Sequence, residues 1–140
     1  MSEPLKGKII LISGSARGIG AATARLAHER GAKVILHGRT DSAQLQKLSK
    51  ELDNAPTIAC DVANKIEVEE RCRPVLEKVG RVDVLVNSAG IIIPQPLLES
   101  DDEGWNKQFA TNVLGIVHFC QVIIPYMQHN GYGRIVNVSS

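Results

Sequence analysis

The chain has 140 residues, 44% of them hydrophobic, and a formal net charge of +1, with its 16 Lys and Arg scattered along the length. It is long enough for a core of its own and lacks the basic stripe that a nucleic-acid partner requires. Cys60, Cys72 and Cys120 leave one over in any closed disulfide set and have no metal-ligand spacing, so they read as small buried hydrophobes of a reducing compartment, with no metal expected.

The start, Met1-Ser2-Glu3-Pro4-Leu5-Lys6, has no apolar signal core, and no window reads as approaching a membrane span; the expectation is a cytoplasmic protein without a membrane partner. Ile9-Ile10-Leu11-Ile12 has the length and β-branching of a buried parallel strand. It ends in Ser13-Gly14-Ser15-Ala16-Arg17-Gly18-Ile19-Gly20, after which Ala21 to Leu26 reads as helix, closed by Gly31 as its C′ residue. Lys33 to His37 reads as a second strand, and Thr40 or Asp41 caps a helix carrying Leu45, Leu48 and Leu52 on one face. Thr57 to Cys60 forms a third strand, ending at Asp61-Val62. Asn64 with Glu67 is close to a capping box. It opens a helix in which Val68, Cys72, Val75, Leu76 and Val79 keep helical spacing, and which Pro74 should bend. Gly80 ends that helix, Val82 to Asn87 is a fourth strand, and Ser100-x-x-Glu103 reads as a second capping box. The long helix that follows, to about Gln128, carries Trp105, Phe109, Val113, Ile116, Cys120, Ile123 and Met127, and Arg134 to Val138 is a fifth strand. Strand and helix alternate throughout, which predicts right-handed crossovers and a parallel sheet with helices on both faces, without repeat, linker or second domain.

In such a sheet ligands bind beyond the carboxyl ends of the strands. Strand, glycine-rich turn and helix aim unpaired N–H groups and a helix dipole at a phosphate, so the first unit reads as a dinucleotide site. Its glycines serve a tight turn, close approach to pyrophosphate, and close helix–strand contact. After the second strand stands Gly38 where an acid would bind a ribose 2′-hydroxyl, followed by Arg39. Arg39 is either an ordinary surface arginine or a ligand for a 2′-phosphate, which Arg17 could also reach. NADP is therefore expected over NAD.

The spacing of Gly14, Gly18 and Gly20, Gly-x-x-x-Gly-x-Gly after Ser13, resembles that of the short-chain dehydrogenase/reductase family. Four further motifs follow in family order: Asp61-Val62, Asn87-Ser88-Ala89-Gly90 (the family has Asn where Ser88 stands), Asn112 with Gly115, and Asn137-Val138-Ser139-Ser140. The resemblance runs from Gly7 to Ser140 and is nearest to the 3-oxoacyl-carrier-protein reductase and sugar- or polyol-dehydrogenase branches, between which the sequence does not choose. It implies a Rossmann-type, doubly wound sheet in three layers, α/β/α, spanning 1–140 and incomplete after the fifth strand. It implies cofactor contacts from Gly14, Ser15, Arg17, Gly18, Ile19, Gly20, Arg39, Asp61, Val62, Asn87, Ala89 and Gly90. Asp61 would accept from the adenine amine, Asn112 would hold a water in a proton relay, and Ser140 would polarise a substrate carbonyl.

The family's Tyr-x-x-x-Lys pair does not occur: Tyr126 is followed four residues on by Asn130, and Tyr132 by Val136. The expectation is an NADP-dependent carbonyl/alcohol oxidoreductase, a homo-oligomer (dimer or tetramer), seen in its N-terminal, cofactor-binding part and inactive as 1–140 alone. The alternatives are a non-catalytic dinucleotide-binding module and an inactive structural fragment. The fifth strand is expected at the sheet's edge, with apolar residues partly uncovered.

Overall fold

The computed structural model describes residues 2–140. Its strands are β1 (Ile9–Ile12), β2 (Lys33–Gly38), β3 (Thr57–Ala59), β4 (Val84–Asn87) and β5 (Arg134–Asn137). Its helices are α1 (Gly18–Glu29), α2 (Ala43–Glu51), α3 (Lys65–Val79), α4 (Asp102–Phe109) and α5 (Gly115–Asn130). The strands pair in parallel in the order β3-β2-β1-β4-β5.

The pleat divides the core in two. Ile10 and Ile12 face one side, where Ala21, Ala24 and Ala27 of α1 and Leu45 and Leu48 of α2 pack. Leu11, between them, faces the other side with Val68, Cys72 and Leu76 of α3 and Phe119 and Ile123 of α5. Side chains alternate across a strand, so an unbroken apolar run such as β1 requires a helical layer on each face. The chain builds outward from β1 to β3, then crosses back to place β4 on the other side of β1. That reversal opens a crevice at the carboxyl ends of β1 and β4, the place where such sheets hold ligands. The expected doubly wound α/β/α, Rossmann-type fold is the one observed. β5 lies at the edge, with Ile135 and Val136 exposed by 40% and 49%.

Several local expectations shift by a residue or more. α2 is capped by Ser42, whose hydroxyl accepts from Leu45 N–H at 3.1 Å, and not by Thr40 or Asp41. α4 is capped by Asp101, which accepts from Gly104 N–H at 2.8 Å. Ser100 instead donates to the Leu97 carbonyl and accepts from the Trp105 indole, because it closes a single 3₁₀ turn at Leu97–Glu99. Only half of the expected box at Asn64 forms: Asn64 accepts from Glu67 N–H, while the Glu67 carboxylate turns back to Asp61 N–H. The long helix is interrupted by a π turn, Ala110–Leu114, between α4 and α5, a distortion that single-turn insertions produce and that recurs at functional sites. Gly31 does close α1, with φ +96° just past the cap Arg30.

The expectation about membrane-spanning windows also needs correction. The helical run Asp102–Asn130 has 29 residues and a window of mean hydropathy 1.4, long and apolar enough to cross a membrane by length and composition. In this fold one stripe of it, Phe119, Ile123 and Met127, packs into the core against the sheet.

The opposite end of the sheet is tied by a residue with no sequence signature. Asp83 is buried, accepts from Ile9 N–H at 2.8 Å, and receives Arg81 Nε at 3.2 Å, while Arg81 Nη2 donates to the Gly7 carbonyl. Asp83→Leu would strand a strand-end N–H and a guanidinium. It is expected to lower unfolding stability by about 1–3 kcal/mol, measurable as a reduced urea midpoint with the slope unchanged; an unchanged midpoint would remove Asp83 from the sheet's supports.

Candidate functional site

The crevice is a cavity of about 890 Å³ at the carboxyl ends of the strands, within the range of small-molecule sites. From β1 and the start of α1 it is lined by Gly14, Arg17, Gly18, Ile19 and Gly20. The loops after β2 and β3 add Arg39, Asp61 and Val62, and the loop after β4 adds Ala89 and Gly90. These ten expected site residues, distant in sequence, are brought to one cleft.

The turn after β1 has its shape for steric reasons. Gly14 sits at φ +62°, and a Cβ there would lie 2.7 Å from Ala89 Cα. A Cβ at Gly20 would lie 2.1 Å from the Gly14 carbonyl oxygen, so the first turn of α1 rests directly on the turn's backbone. Beside Gly18 there is open space. α1 also differs from α2, α3 and α4 in having no side-chain cap: Arg17 at its N-cap offers no acceptor. The N–H groups of its first turn have no intrahelical partner and face the cleft, with the helix dipole behind them. That combination suits an anion.

The turn is braced from both sides. The Ser13 hydroxyl accepts from Ser88 N–H and Ala89 N–H, both at 3.0 Å. Ser15 N–H donates to the His37 carbonyl at 2.8 Å, and the Ser15 hydroxyl accepts from His37 N–H at 2.8 Å. Ser15 is thus fully buried, turned to β2 and away from the cleft. It shapes the turn.

Arg39 is 77% exposed on its side chain, with Nη2 3.7 Å from Asp61 Oδ2. Among the described residues Arg17 has no ion-pair partner. Two guanidinium groups therefore reach the cleft, one of them balanced by a carboxylate. A Cβ on Gly38 would lie 3.1 Å from the Thr40 carbonyl oxygen and 3.3 Å from Leu45 Cδ2, so an acidic side chain there would be tightly confined. Asp61 Oδ1 accepts from Ala63 N–H at 3.0 Å, which leaves its other oxygen toward Arg39. His118 Nδ1 meets the Val62 carbonyl at 2.7 Å, fixing that residue from α5.

Asn87, Asn112 and Ser140 do not line the cavity. Asn87 is buried; its Nδ2 donates to Asn137 Oδ1 at 2.9 Å across β4–β5, and its Oδ1 has no hydrogen-bond partner among the described residues. Asn112, in the π turn, brackets Ile91: Oδ1 accepts from Ile91 N–H at 2.8 Å and Nδ2 donates to the Ile91 carbonyl at 2.9 Å. That uses one hydrogen and one lone pair of the amide and leaves one hydrogen and further acceptor capacity for a water. Ser140 is exposed beyond β5, two residues past Val138, which does line the cavity.

Two cleft residues carry no sequence motif. Lys107 of α4 lines the cavity while paired with Glu103 at 2.9 Å. His37, the last residue before Gly38, lies beneath the glycine turn with Nδ1 2.9 Å from Gly14 N–H. Its place at a strand's carboxyl end was the one available signal. Cys60 and Cys72 are buried free thiols, pushed up to about 12 chiefly by burial, so they are packing groups and not thiolates. No cluster of three or more metal-ligating side chains forms among the described residues.

The family model described as short chain dehydrogenase matches residues 8–140. The chain is 38% identical over 140 residues to the 3-oxoacyl-(acyl-carrier-protein) reductase FabG of Thermotoga maritima, covering 97% of this chain and 56% of that protein. It is 34% identical over 138 residues to an uncharacterized oxidoreductase of Staphylococcus haemolyticus, covering 97% of this chain and 59% of the relative. Among solved structures it is similar to a gluconate 5-dehydrogenase from Burkholderia cenocepacia J2315 in complex with NADP and tartrate. There the TM-score is 0.91 at 30% identity, over 99% of this chain and 55% of that one. The chain thus spans little more than half the length of these relatives.

Proposed function

This chain belongs to the short chain dehydrogenase family, and from that membership we propose that its cleft binds NADP as one nucleotide-binding domain of a carbonyl/alcohol oxidoreductase. The observation that carries the proposal is the uncapped start of α1 seated on Gly14, with Arg17 and Arg39 at the cleft and Gly38 in place of an acid. NADP(H), when bound, supplies or takes up the hydride. In this reading the N–H groups from Gly14 to Gly20 hold the pyrophosphate, and Arg39 and Arg17 make charge-assisted bonds to the 2′-phosphate. Asp61 accepts from the adenine amine, and Val62 lies against the ring. Ala89 and Gly90 let backbone run beside the nicotinamide half, with Asn87 holding the end of β4 to β5. Asn112 fixes Ile91 and keeps the free part of its amide for a water of the proton relay. Ser140 donates a hydrogen bond to the substrate's carbonyl oxygen.

The 140 residues contain no Tyr-x-x-x-Lys pair, so the proposal includes no hydride transfer by these residues alone. Trp105, Phe109, Val113, Leu114 and Val117, exposed apolar side chains along α4, the π turn and α5, support a homo-oligomer, since exposed apolar surface of this extent marks protein contacts.

Calorimetric titration of NADPH and NADH tests the reading. NADPH is expected to bind more tightly, and Arg39→Asp to reverse the order. Loss of one such phosphate contact costs about 1.5–3 kcal/mol, roughly tenfold to a hundredfold in affinity. Equal affinities in the unaltered protein would sink the NADP assignment, and no binding of either would return the chain to a structural role.

A further inference from the structure

Beneath the phosphate-facing turn lies a titratable side chain that none of the proposed nucleotide contacts uses. His37 is 2% exposed and is held at both ring nitrogens. Gly14 N–H lies 2.9 Å from Nδ1, and the Cys60 carbonyl lies 2.8 Å from Nε2. An amide N–H only donates and a carbonyl only accepts, so the ring carries its single proton on Nε2 and presents a lone pair at Nδ1. The Phe119 ring closes the pocket edge-on, with centroids 5.2 Å apart. One imidazole thus joins the turn after β1, the end of β2, the end of β3, and α5. Its N–H partner is the residue at which the turn leaves the sheet, with φ +62°.

We propose that His37 is the positioning residue of the glycine turn: the neutral ring sets Gly14 for phosphate binding, and a second proton withdraws that support, so nucleotide affinity falls in acid. The inference rests on the nucleotide reading above. With a proton on Nδ1, two donors would face each other across 2.9 Å with no acceptor between them, and one must move. The ring is enclosed by Phe119, β2 and β3, so the loss falls on the turn, whose other braces at Ser13 and Ser15 offer Gly14 N–H no replacement acceptor.

The charges around the ring do not reverse this. From the segment after β3 the Asp61 carboxylate and the Cys60 carbonyl favour the cation, but Arg39, just past β2, pairs with that carboxylate. The Cys60 thiol is neutral, pushed up to about 12. The turn contributes only the exposed Arg17, and α5 contributes Phe119 and His118, whose Nδ1 is turned to Val62. Burial outweighs the favourable groups and holds His37 below the ordinary histidine range. A bound phosphate would favour the cation through space, yet it supplies no acceptor between Gly14 and the ring.

The test is NADPH affinity, followed by fluorescence from about pH 8 to about pH 5, on the full protein, His37→Asn and His37→Phe. Asn places an oxygen acceptor near the position of Nδ1 and does not titrate; Phe keeps a ring and removes the acceptor. Unaltered protein is expected to weaken by up to about tenfold per pH unit once the ring takes up its proton. His37→Asn should stay within about threefold of it at the upper pH and lose clearly less affinity toward about pH 5. Its remaining loss comes from the NADPH 2′-phosphate, which takes up a proton at about pH 6. His37→Phe should bind at least about tenfold more weakly throughout. Parallel acid loss in the unaltered protein and His37→Asn, or normal binding by His37→Phe, would overturn the proposal. Nitrogen NMR of the ring and the Gly14 amide signal stand apart from nucleotide. A proton on Nε2, with the Gly14 signal moving as the ring titrates, supports the link; a proton on Nδ1, or a Gly14 signal indifferent to pH, overturns it. Failure of all forms to bind NADPH at about pH 8 would overturn the nucleotide reading, while the Gly14 signal still decides the imidazole–turn link.

Discussion

A Gly20→Ala protein is expected to lose nucleotide affinity by about a hundredfold or more and to unfold about 1–3 kcal/mol more easily. The new Cβ would lie 2.1 Å from the Gly14 carbonyl oxygen, 2.8 Å from its carbon and 2.9 Å from Ser15 Cα. All three are backbone atoms, so no side-chain rotation relieves the overlap, and α1 must lift from the turn. The N–H groups proposed to hold the pyrophosphate are carried by those two segments, and a displacement near 1 Å is enough to cost about a hundredfold at a positioned site. Gly18→Ala serves as the comparison. Its Cβ would enter open space at φ +59°, so it bears only the left-handed backbone penalty of about 1–2 kcal/mol. Calorimetry with NADPH and a thermal melt on each variant separate the two effects. Binding by Gly20→Ala within about threefold of the unaltered protein would mean that the contact between α1 and the turn does not set the site.

Under the proposed function, in a protein that supplies the Tyr-x-x-x-Lys pair, Ser140→Ala is expected to lower kcat by about a hundredfold to a thousandfold and to change NADPH affinity by less than about threefold. The proposed hydroxyl meets charge that develops on the carbonyl oxygen during the reaction, which the nucleotide does not share. The choice between the two serines has a geometric basis. Val138 N–H donates to the Asn87 carbonyl at 3.0 Å, continuing the ladder of β5, and Val138 lines the cavity. A continuation of β5 in extended form would put Ser140 on the side of Val138 and Ser139 on the other face. Asn112→Ala should act in the same direction, less severely. A damaging Ser139→Ala beside a silent Ser140→Ala would transfer the role to Ser139.

How far the sequence alone reached is clearest at the glycine turn. Ile9–Ile12, the three glycines and the helix after them could be read directly, because strand run, turn residues and helix formers all act within a few positions of one another. The cap residues were harder. Thr40, Asp41 and Ser42 are adjacent cap formers, as are Ser100 and Asp101, and which of them caps depends on where the backbone leaves its extended conformation. That is set by packing of the helix that follows: Leu45 and Leu48 go into the core on one face, and Trp105 bonds back to Ser100 on the other. The π turn was invisible for a related reason. Thr111, Asn112 and Val113 are weak helix formers of a kind found in many ordinary helices, and Asn112 can grip both backbone groups of Ile91 only in the folded chain.

Local periodicity or a single residue's chemistry was enough for the alternation of strand and helix, the parallel three-layer sheet, the glycine turn between β1 and α1 and the absence of an acid at Gly38. Folding was needed to set His37 against Gly14 N–H, Asp83 between Ile9 and Arg81, and Asn87 beside Asn137. His37 and Gly14 are 23 residues apart, Asn87 and Asn137 50, and Ile9 and Asp83 74. Polar partners so distant are chosen by strand order and register: β1 lies between β2 and β4, and the buried groups that meet there must satisfy one another because water cannot reach them.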